Sequence, residues 1–247
     1  MMSVIKYSLF TNPGDRDYNE DAVGVEQVEG KCCFVLADGL GGHGGGAEAS
    51  ELVVTQVKEV FSREREVSVE CMKKCFETAQ EHLLLSQKEQ GRENEMKTTL
   101  VVLMMDEHKV LWGHIGDSRL YLFKKGKYVL HTLDHSVPQM LVNLGEIKEK
   151  DIRHHEDRNR LLKVMGIEWD EPKYQISEEI EKTRDMSFLL CSDGFWELIE
   201  EKKMESDLFW SKNPQSWLEK MVKRVKRNGK NVNMDNYSAV AVWKGEK

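Results

Sequence analysis

Cys32 to Ala37 is an apolar run that stops at a carboxylate, Asp38, and the glycine-rich stretch Gly39-Leu40-Gly41-Gly42-His43-Gly44-Gly45-Gly46 follows it. A short apolar run bounded by a breaker predicts a buried strand, so Asp38 falls where a strand leaves the core. A carboxylate there needs a partner, because desolvating an isolated charge is costly. The glycines let backbone groups approach something small, such as an ion or a phosphate. Three readings fit this stretch taken alone. Asp-Gly is a favoured turn pair. Gly39 to Gly44 matches the G-x-G-x-x-G pattern of a dinucleotide loop. The third reading is a metal site. Asp38 directly before the first glycine sets an anion where a pyrophosphate would lie, which counts against the dinucleotide loop.

The remaining elements decide between them. Val4 to Phe10 reads as a first strand, and a polar loop from Asn12 to Asp21 follows. Ala22 to Val28 and Lys31 to Ala37 read as a strand pair turning at Glu29-Gly30. An antiparallel hairpin of this kind brings Asp21 and Asp38 to the same end. Ala47 to Arg63 and Ser68 to Gln90 carry apolar residues at helical spacing. Cys71 and Cys75 share a face of the second helix, which core packing explains. Four strand-like runs follow: Thr98 to Met105, Lys109 to Ile115, Arg119 to Lys124 and Tyr128 to Leu133. They predict an antiparallel meander and no βαβ alternation, which argues further against a dinucleotide fold.

Asp134 to about Arg160 is a polar excursion with a short helical piece at Pro138 to Leu144, and it reads as a flap. Lys173 to Ile180 and Ser187 to Cys191 read as strands, the latter ending in Ser192-Asp193-Gly194. Phe195 to Leu198 starts a short helix, and Pro214 to Arg227 forms the last amphipathic one. The basic face of that helix (Lys220, Lys223, Arg224, Lys226, Arg227, Lys230) reads as a solvated surface. Asp235-Asn236 opens a final strand, Tyr237 to Trp243.

Composition sets the outer limits. The chain has 247 residues with 40% hydrophobic and 32% charged content, ordinary for a globular protein. A net charge of -7 argues against nucleic acid as the main partner. The five cysteines include no C-x-x-C pair, which predicts reduced thiols in a cytoplasm. The first residues lack the apolar core of a signal peptide, and no apolar run approaches the ~20 residues that span a bilayer.

Asp21, Asp38, Asp117, Asp193 and Asp235 each lie at the edge of an apolar strand-like run, in a polar or glycine-containing turn. One such aspartate is a turn residue. Five at ends that hairpins gather together predict a carboxylate cluster, which repels itself unless cations neutralise it. Oxygen ligands favour hard ions, Mg²⁺ or Mn²⁺. Two such ions ~3.5–4 Å apart lower the pKa of a shared water and aim it at phosphorus. A phosphate also calls for an arginine fork, and Arg16 is the best placed.

The chain resembles the metal-dependent protein phosphatases, the PPM or type 2C serine/threonine phosphatases, in their compact bacterial form. The matching segments are Gly14-Asp15-Arg16-Asp17-Tyr18-Asn19-Glu20-Asp21, Ala37-Asp38-Gly39-Leu40-Gly41-Gly42-His43, Gly116-Asp117-Ser118-Arg119, Asp134-His135-Ser136, Ser192-Asp193-Gly194 and Asp235-Asn236. They stand in the family's order and run from end to end. The resemblance implies an α+β fold, a four-layer α-β-β-α sandwich of two antiparallel sheets flanked by helices. It implies one catalytic domain over residues 1–247, with a flap at about 134–160. It implies that Asp38 bridges two metals, that the Gly39 carbonyl with Glu20 and Asp21 (through water) serves one ion, and that Asp193 and Asp235 serve the other. Asp117 with Asp193 would form a third, weaker site, and Arg16 would hold the substrate phosphate.

Two positions depart from the family. Animal members carry a histidine directly after the Asp-Gly, proposed as general acid, where this chain has Leu40; His43 lies further along, and the acid stays open. Bacterial relatives usually have Glu directly after the glycine that ends the loop, whereas Ala47 and then Glu48 follow Gly46 here. The expected activity is Mg²⁺/Mn²⁺-dependent hydrolysis of phosphoserine and phosphothreonine in proteins. Metal-activated water attacks phosphorus directly, with no phosphoenzyme. The enzyme would be a cytoplasmic monomer opposing a Ser/Thr kinase. Two alternatives stay open: a non-catalytic module that binds metal or phosphoprotein, and a phosphatase for small phosphorylated metabolites.

Overall fold

A computed structural model of the chain describes residues 5–41, 45–92 and 95–243. The chain runs β1 (Lys6–Phe10), β2 (Asp21–Val28), β3 (Lys31–Leu40), α1 (Gly45–Glu64) and α2 (Val69–Gln90). Next come β4 (Lys97–Thr98), β5 (Leu100–Met105), β6 (Lys109–Ile115), β7 (Arg119–Lys124), β8 (Lys127–His131) and α3 (Val137–Asn143). The last part holds β9 (Gln175–Ile176), β10 (Ile180–Glu181), β11 (Met186–Cys191), α4 (Asp193–Trp196), α5 (Glu201–Phe209), α6 (Pro214–Asn228) and β12 (Ala239–Trp243).

One antiparallel sheet has the order β1-β12-β11-β7-β8. The other runs β10-β6-β5-β3-β2, with β4 beside β3 and β9 beside β6. Period-two burial explains how four layers form from these strands. In β3, Cys33, Val35 and Ala37 pack with Val53, Val57, Met72 and Phe76 of α1 and α2. The alternate residues Cys32, Phe34 and Leu36 face the second sheet, meeting Leu120, Leu122, Phe188, Leu190, Val240 and Val242. The outer face of that sheet, with Tyr121, Phe123, Leu189 and Ala241, is covered by Met204, Leu208, Trp217, Met221 and Val225 of α5 and α6. Each such large apolar side chain contributes roughly 1.5–3 kcal/mol by leaving water.

The helix boundaries follow local chemistry. Ser68 caps α2 by accepting from the Cys71 amide at 3.2 Å, and Gly91 ends it at φ 65°. The expected four-strand meander is corrected here. β5–β6 and β7–β8 are hairpins, but β6 and β7 lie in different sheets. The step between them is Gly116-Asp117-Ser118. Gly116 sits at φ +101°, where a Cβ would fall 2.6 Å from Thr99 Cγ2. Glycine alone fits this sheet-to-sheet corner. The strand expected over Lys173 to Ile180 is reduced to the two short edge pairings of β9 and β10 on β6. α5 was not expected from the pattern. One of its buried positions is a carboxylate, Asp207, which pairs with Arg224 of α6 at 2.6 and 2.9 Å, so its apolar stripe is short.

Candidate metal and phosphate site

Asp38 continues the face of β3 that carries Phe34 and Leu36, so the side chain emerges between the two sheets where apolar packing ends. Asp21 stands directly opposite it in the β2–β3 register, on the face of Val23 and Val25. The backbone at Asp38 is held on both sides. Its amide donates to Thr99 Oγ1 at 2.9 Å, and its carbonyl accepts from the Thr98 hydroxyl at 2.8 Å and the Thr99 amide at 2.9 Å. The Gly39 amide donates to the Glu20 carbonyl at 3.0 Å. A Cβ on Gly39 would lie 2.2 Å from the Gly46 carbonyl oxygen, so glycine here admits the start of α1 against the hairpin.

The facing sheet supplies the other carboxylates. Ser192 extends the inward face of β11 and donates from its hydroxyl to Asp21 Oδ2 at 2.8 Å, a bond from sheet to sheet. The Ser238 amide in turn donates to Ser192 Oγ at 3.0 Å. Asp193 follows at the start of α4, its Oδ1 accepting from the Gly194 amide at 2.5 Å. Asp235 lies at the mouth, with its Oδ2 2.9 Å from Arg16 Nη2. Asp117 sits on the sheet-to-sheet corner, and the Trp196 indole of α4 donates to its carbonyl at 3.0 Å.

Burial and mutual repulsion dominate the electrostatics. Burial, then the charges of Asp21 and Asp193, push the Asp38 carboxyl well above the usual carboxylate range. Burial pushes Asp21 up to about 7 against hydrogen bonds from Ser238 and Ser192. Burial and then Asp235 push Asp193 up to about 6. Asp117 is raised well above its ordinary value by burial, then by Asp193 and Asp134. Asp21 Oδ1 is buried with no hydrogen-bond partner. An orphaned carboxylate oxygen among carboxylates that resist ionising suits a cation. The donors are all oxygen, which fits Mg²⁺ or Mn²⁺. Among the described residues, no three Asp, Glu, His or Cys side chains converge as a closed ligand set. Hard ions that keep several waters and take one or two carboxylates need no such set.

Sequence reasoning singled out Asp21, Asp38, Asp117, Asp193, Asp235, Gly39 and Arg16, and the fold gathers them at one end of the sandwich. Glu20 sits beside them; burial raises its carboxyl, offset by the Ala47 and Gly46 amides at the start of α1. His43 lies outside the described residues. Several supporting residues had no assigned role. Asn236 ties the Arg16 loop to β12: its Oδ1 accepts from the Glu20 amide at 2.8 Å, and its Nδ2 donates to the Pro13 and Tyr18 carbonyls at 2.9 Å. Asp134 forms a buried two-bond pair with Arg119, at 2.7 Å each. That guanidinium lies 3.5 Å over Trp196, the residue that holds the Asp117 carbonyl. Arg158 pairs with Glu197 at 3.2 Å, and its charge favours ionised Asp193. The Asp-Asn, Gly-Asp-Ser-Arg and Asp-His-Ser segments gave the sequence signal for Asn236, Arg119 and Asp134; Trp196 and Arg158 gave none, because their partners are distant in the chain.

Comparison with known proteins shows the family and the fold. Residues 14–237 match the protein phosphatase 2C family. The chain is 33% identical over 202 residues to the serine/threonine phosphatase stp of Listeria monocytogenes, covering 78% of each chain. The crystal structure of serine/threonine phosphatase Stp1 from Staphylococcus aureus superposes with a TM-score of 0.85 at 25% identity, over 98% of this chain and 95% of that one. The catalytic domain of the phosphatase PstP, solved in complex with two manganese ions, gives a TM-score of 0.82 at 23% identity, over 98% of this chain and 99% of that one.

Proposed function

The chain belongs to the protein phosphatase 2C family and is a serine/threonine phosphoprotein phosphatase, and from that premise we propose that it hydrolyses phosphoserine and phosphothreonine directly with water at the carboxylate cluster. One observation carries this reading: carboxylates from both sheets meet beside Arg16 with an unpartnered buried oxygen among them. Asp38 would serve two ions, with the Gly39 carbonyl and, through water, Glu20 and Asp21 holding one, and Asp193 and Asp235 the other. Asp117 with Asp193 would hold a third. The manganese in the PstP structure supports Mn²⁺, with Mg²⁺ as the alternative hard ion. Bound, such ions lower the pKa of water and neutralise phosphate charge.

The chain's own groups do the rest. Arg16 is half-exposed at the mouth, where its guanidinium meets an incoming phosphate while one nitrogen stays on Asp235. Ser192 and Thr99 hold the Asp21 and Asp38 positions against their mutual repulsion. Among the described residues, neither Cys191 nor Ser192 is placed to act as a covalent nucleophile. Cys191 is buried with its thiol pushed up by desolvation, and the buried Ser192 hydroxyl is committed to Asp21. Leu40 has no ionisable group and cannot protonate the leaving alkoxide.

The domain is taken as residues 1–247, with 134–160 as a flap joined to the body by the Arg119–Asp134 pair and the Ser136–Leu161 bridge. No helix among the described residues is long and apolar enough to cross a membrane. The five thiols are buried and unpaired, which suits a reducing cytoplasm. A monomer opposing a Ser/Thr kinase completes the reading.

The test is hydrolysis of a phosphothreonine peptide with Mn²⁺ and with EDTA, alongside Asp38→Asn. Turnover is expected to need the metal and to fall at least ~100-fold in Asp38→Asn, since even residues behind the ligands cost 10–100-fold. Turnover indifferent to EDTA or to Asp38→Asn means the site is elsewhere. A folded protein inert with every divalent ion is a binding module.

A further inference from the structure

The cleft that opens at Arg16, Asp193 and Asp235 continues well past the carboxylates, as a cavity of roughly 780 Å³. Its outer walls are cationic and come from three parts of the chain. Arg153 and Arg158 belong to the segment after α3, Lys203 to the first turn of α5, and Arg224 and Arg227 to α6. Some of these charges are already used. Arg153 pairs with Glu201, Arg158 with Glu197, and Arg224 with Asp207. Lys203 and Arg227 are exposed and make no ion pair among the described residues. The basic face of α6 is therefore not uniform. Lys220 turns to the Trp210 carbonyl and Arg224 to Asp207, while Arg227 faces the cleft. In a chain of net charge -7, two unspent cations on the wall leading to a phosphate site mark an anionic occupant.

We propose that Lys203 and Arg227 bind acidic side chains flanking the phosphorylated residue, so that this phosphatase prefers phosphosites in acidic stretches. The inference rests on the phosphatase reading above and deepens it. Glu197 and Glu200 line the same cleft as the cations. They would repel a continuous polyphosphate such as nucleic acid, whereas separate carboxylates on an extended peptide can meet the cations singly. Successive residues of such a peptide advance ~3.3 Å, so side chains a few positions from the phosphate reach the outer wall.

The experiment compares two phosphothreonine peptides of equal length, one with glutamates and one with glutamines around the phosphosite. kcat/KM is measured on the Mn²⁺-loaded protein and on the Lys203→Glu/Arg227→Glu variant. Both substitutions are on exposed helix surface, and p-nitrophenyl phosphate, which has no flanks, reports that the variant's metal site is intact. The unaltered protein is expected to favour the glutamate peptide roughly tenfold at low ionic strength, two exposed charge pairs being worth about that much. The gain falls in KM, shrinks as salt is added, and disappears or inverts in the variant. Equal kcat/KM on the two peptides, or a preference that survives the double substitution, overturns the proposal while leaving the phosphatase intact. Failure to hydrolyse either peptide or p-nitrophenyl phosphate with any divalent ion overturns both.

Discussion

His114 and His135 stack with ring centroids 4.8 Å apart and planes 7° from parallel, in the space behind the Asp117 corner. His135 Nδ1 accepts from the Gly116 amide at 3.2 Å, and His114 Nε2 donates to the Leu133 carbonyl at 2.9 Å, so both partners suit neutral rings. Burial, then the facing His114, lowers His135 to about 3; burial lowers His114 as well. The sign follows from linkage. The unfolded chain titrates near 6.5 and the folded one lower, so between those values the unfolded chain binds more protons. The contribution is complete above about 6.5 and is lost as pH falls towards the folded value. Urea unfolding at constant metal is expected to lose about 2 kcal/mol through His135 between pH 6.5 and 5, at 1.36 kcal/mol per pH step, with His114 acting in the same direction. His114→Phe, which keeps a ring in the stack, flattens that slope; an unchanged slope means the pair is already charged. His135 was visible in the sequence only as the middle of Asp134-His135-Ser136. Its partner lies 21 residues earlier, in β6, beyond the reach of any local pattern.

Among the elements, α4 shows how tightly the metal end is built. Its first turn carries Asp193, and a Cβ on Gly194 would lie 2.2 Å from the Asn236 carbonyl oxygen. Gly194 has no left-handed φ, so alanine would by itself favour the helix by roughly 0.5–1 kcal/mol. The contact opposes this, because both sides are backbone and neither can swing away. Gly194→Ala is expected to destabilise by about 1–3 kcal/mol and to weaken Mn²⁺ binding by separating Asp193 from Asp235. A stabilised variant with unchanged Mn²⁺ affinity would show that the two segments yield freely. Most elements were legible because their apolar periodicity is strong. Lys109–Ile115 and Arg119–Lys124 have the bounds read from sequence, and Ser68 marked the start of α2. β3 runs on through Asp38 to Leu40, since pairing with β4 carries the strand past its apolar part. The sheet change at Gly116 was hidden, because strand patterns fix which face is buried and not which sheet a strand joins.

At the scale of the molecule, the sandwich closes at one end on charge instead of on apolar packing. β2 and β3 bring Asp21 and Asp38, and the segments beside β11 and β12 bring Asp193 and Asp235, so the same carboxylates that gather the candidate ligands push the two sheets apart. The aspartates were legible because each stands at the edge of an apolar strand-like run, in a polar or glycine-containing turn. The cations around them were not, since Arg158, Lys203 and Arg227 reach the cleft from elements far apart in the chain. Stability and function should then pull in opposite directions at Asp38. Replacing it by asparagine removes a buried charge while keeping the shape of the side chain. In EDTA at pH 7.5, Asp38→Asn is expected to melt at a higher temperature than the unaltered protein. With Mn²⁺ the order reverses. Ligand at a hundredfold over Kd adds about 2.7 kcal/mol to the folded state, roughly 5–10 °C for a domain of this size, and the variant gains little of it. Thermal melts of both proteins with and without Mn²⁺ measure the four midpoints. A variant that melts lower in EDTA would mean that Asp38 is held by favourable partners without any metal, and that carboxylate repulsion is not what the ions relieve.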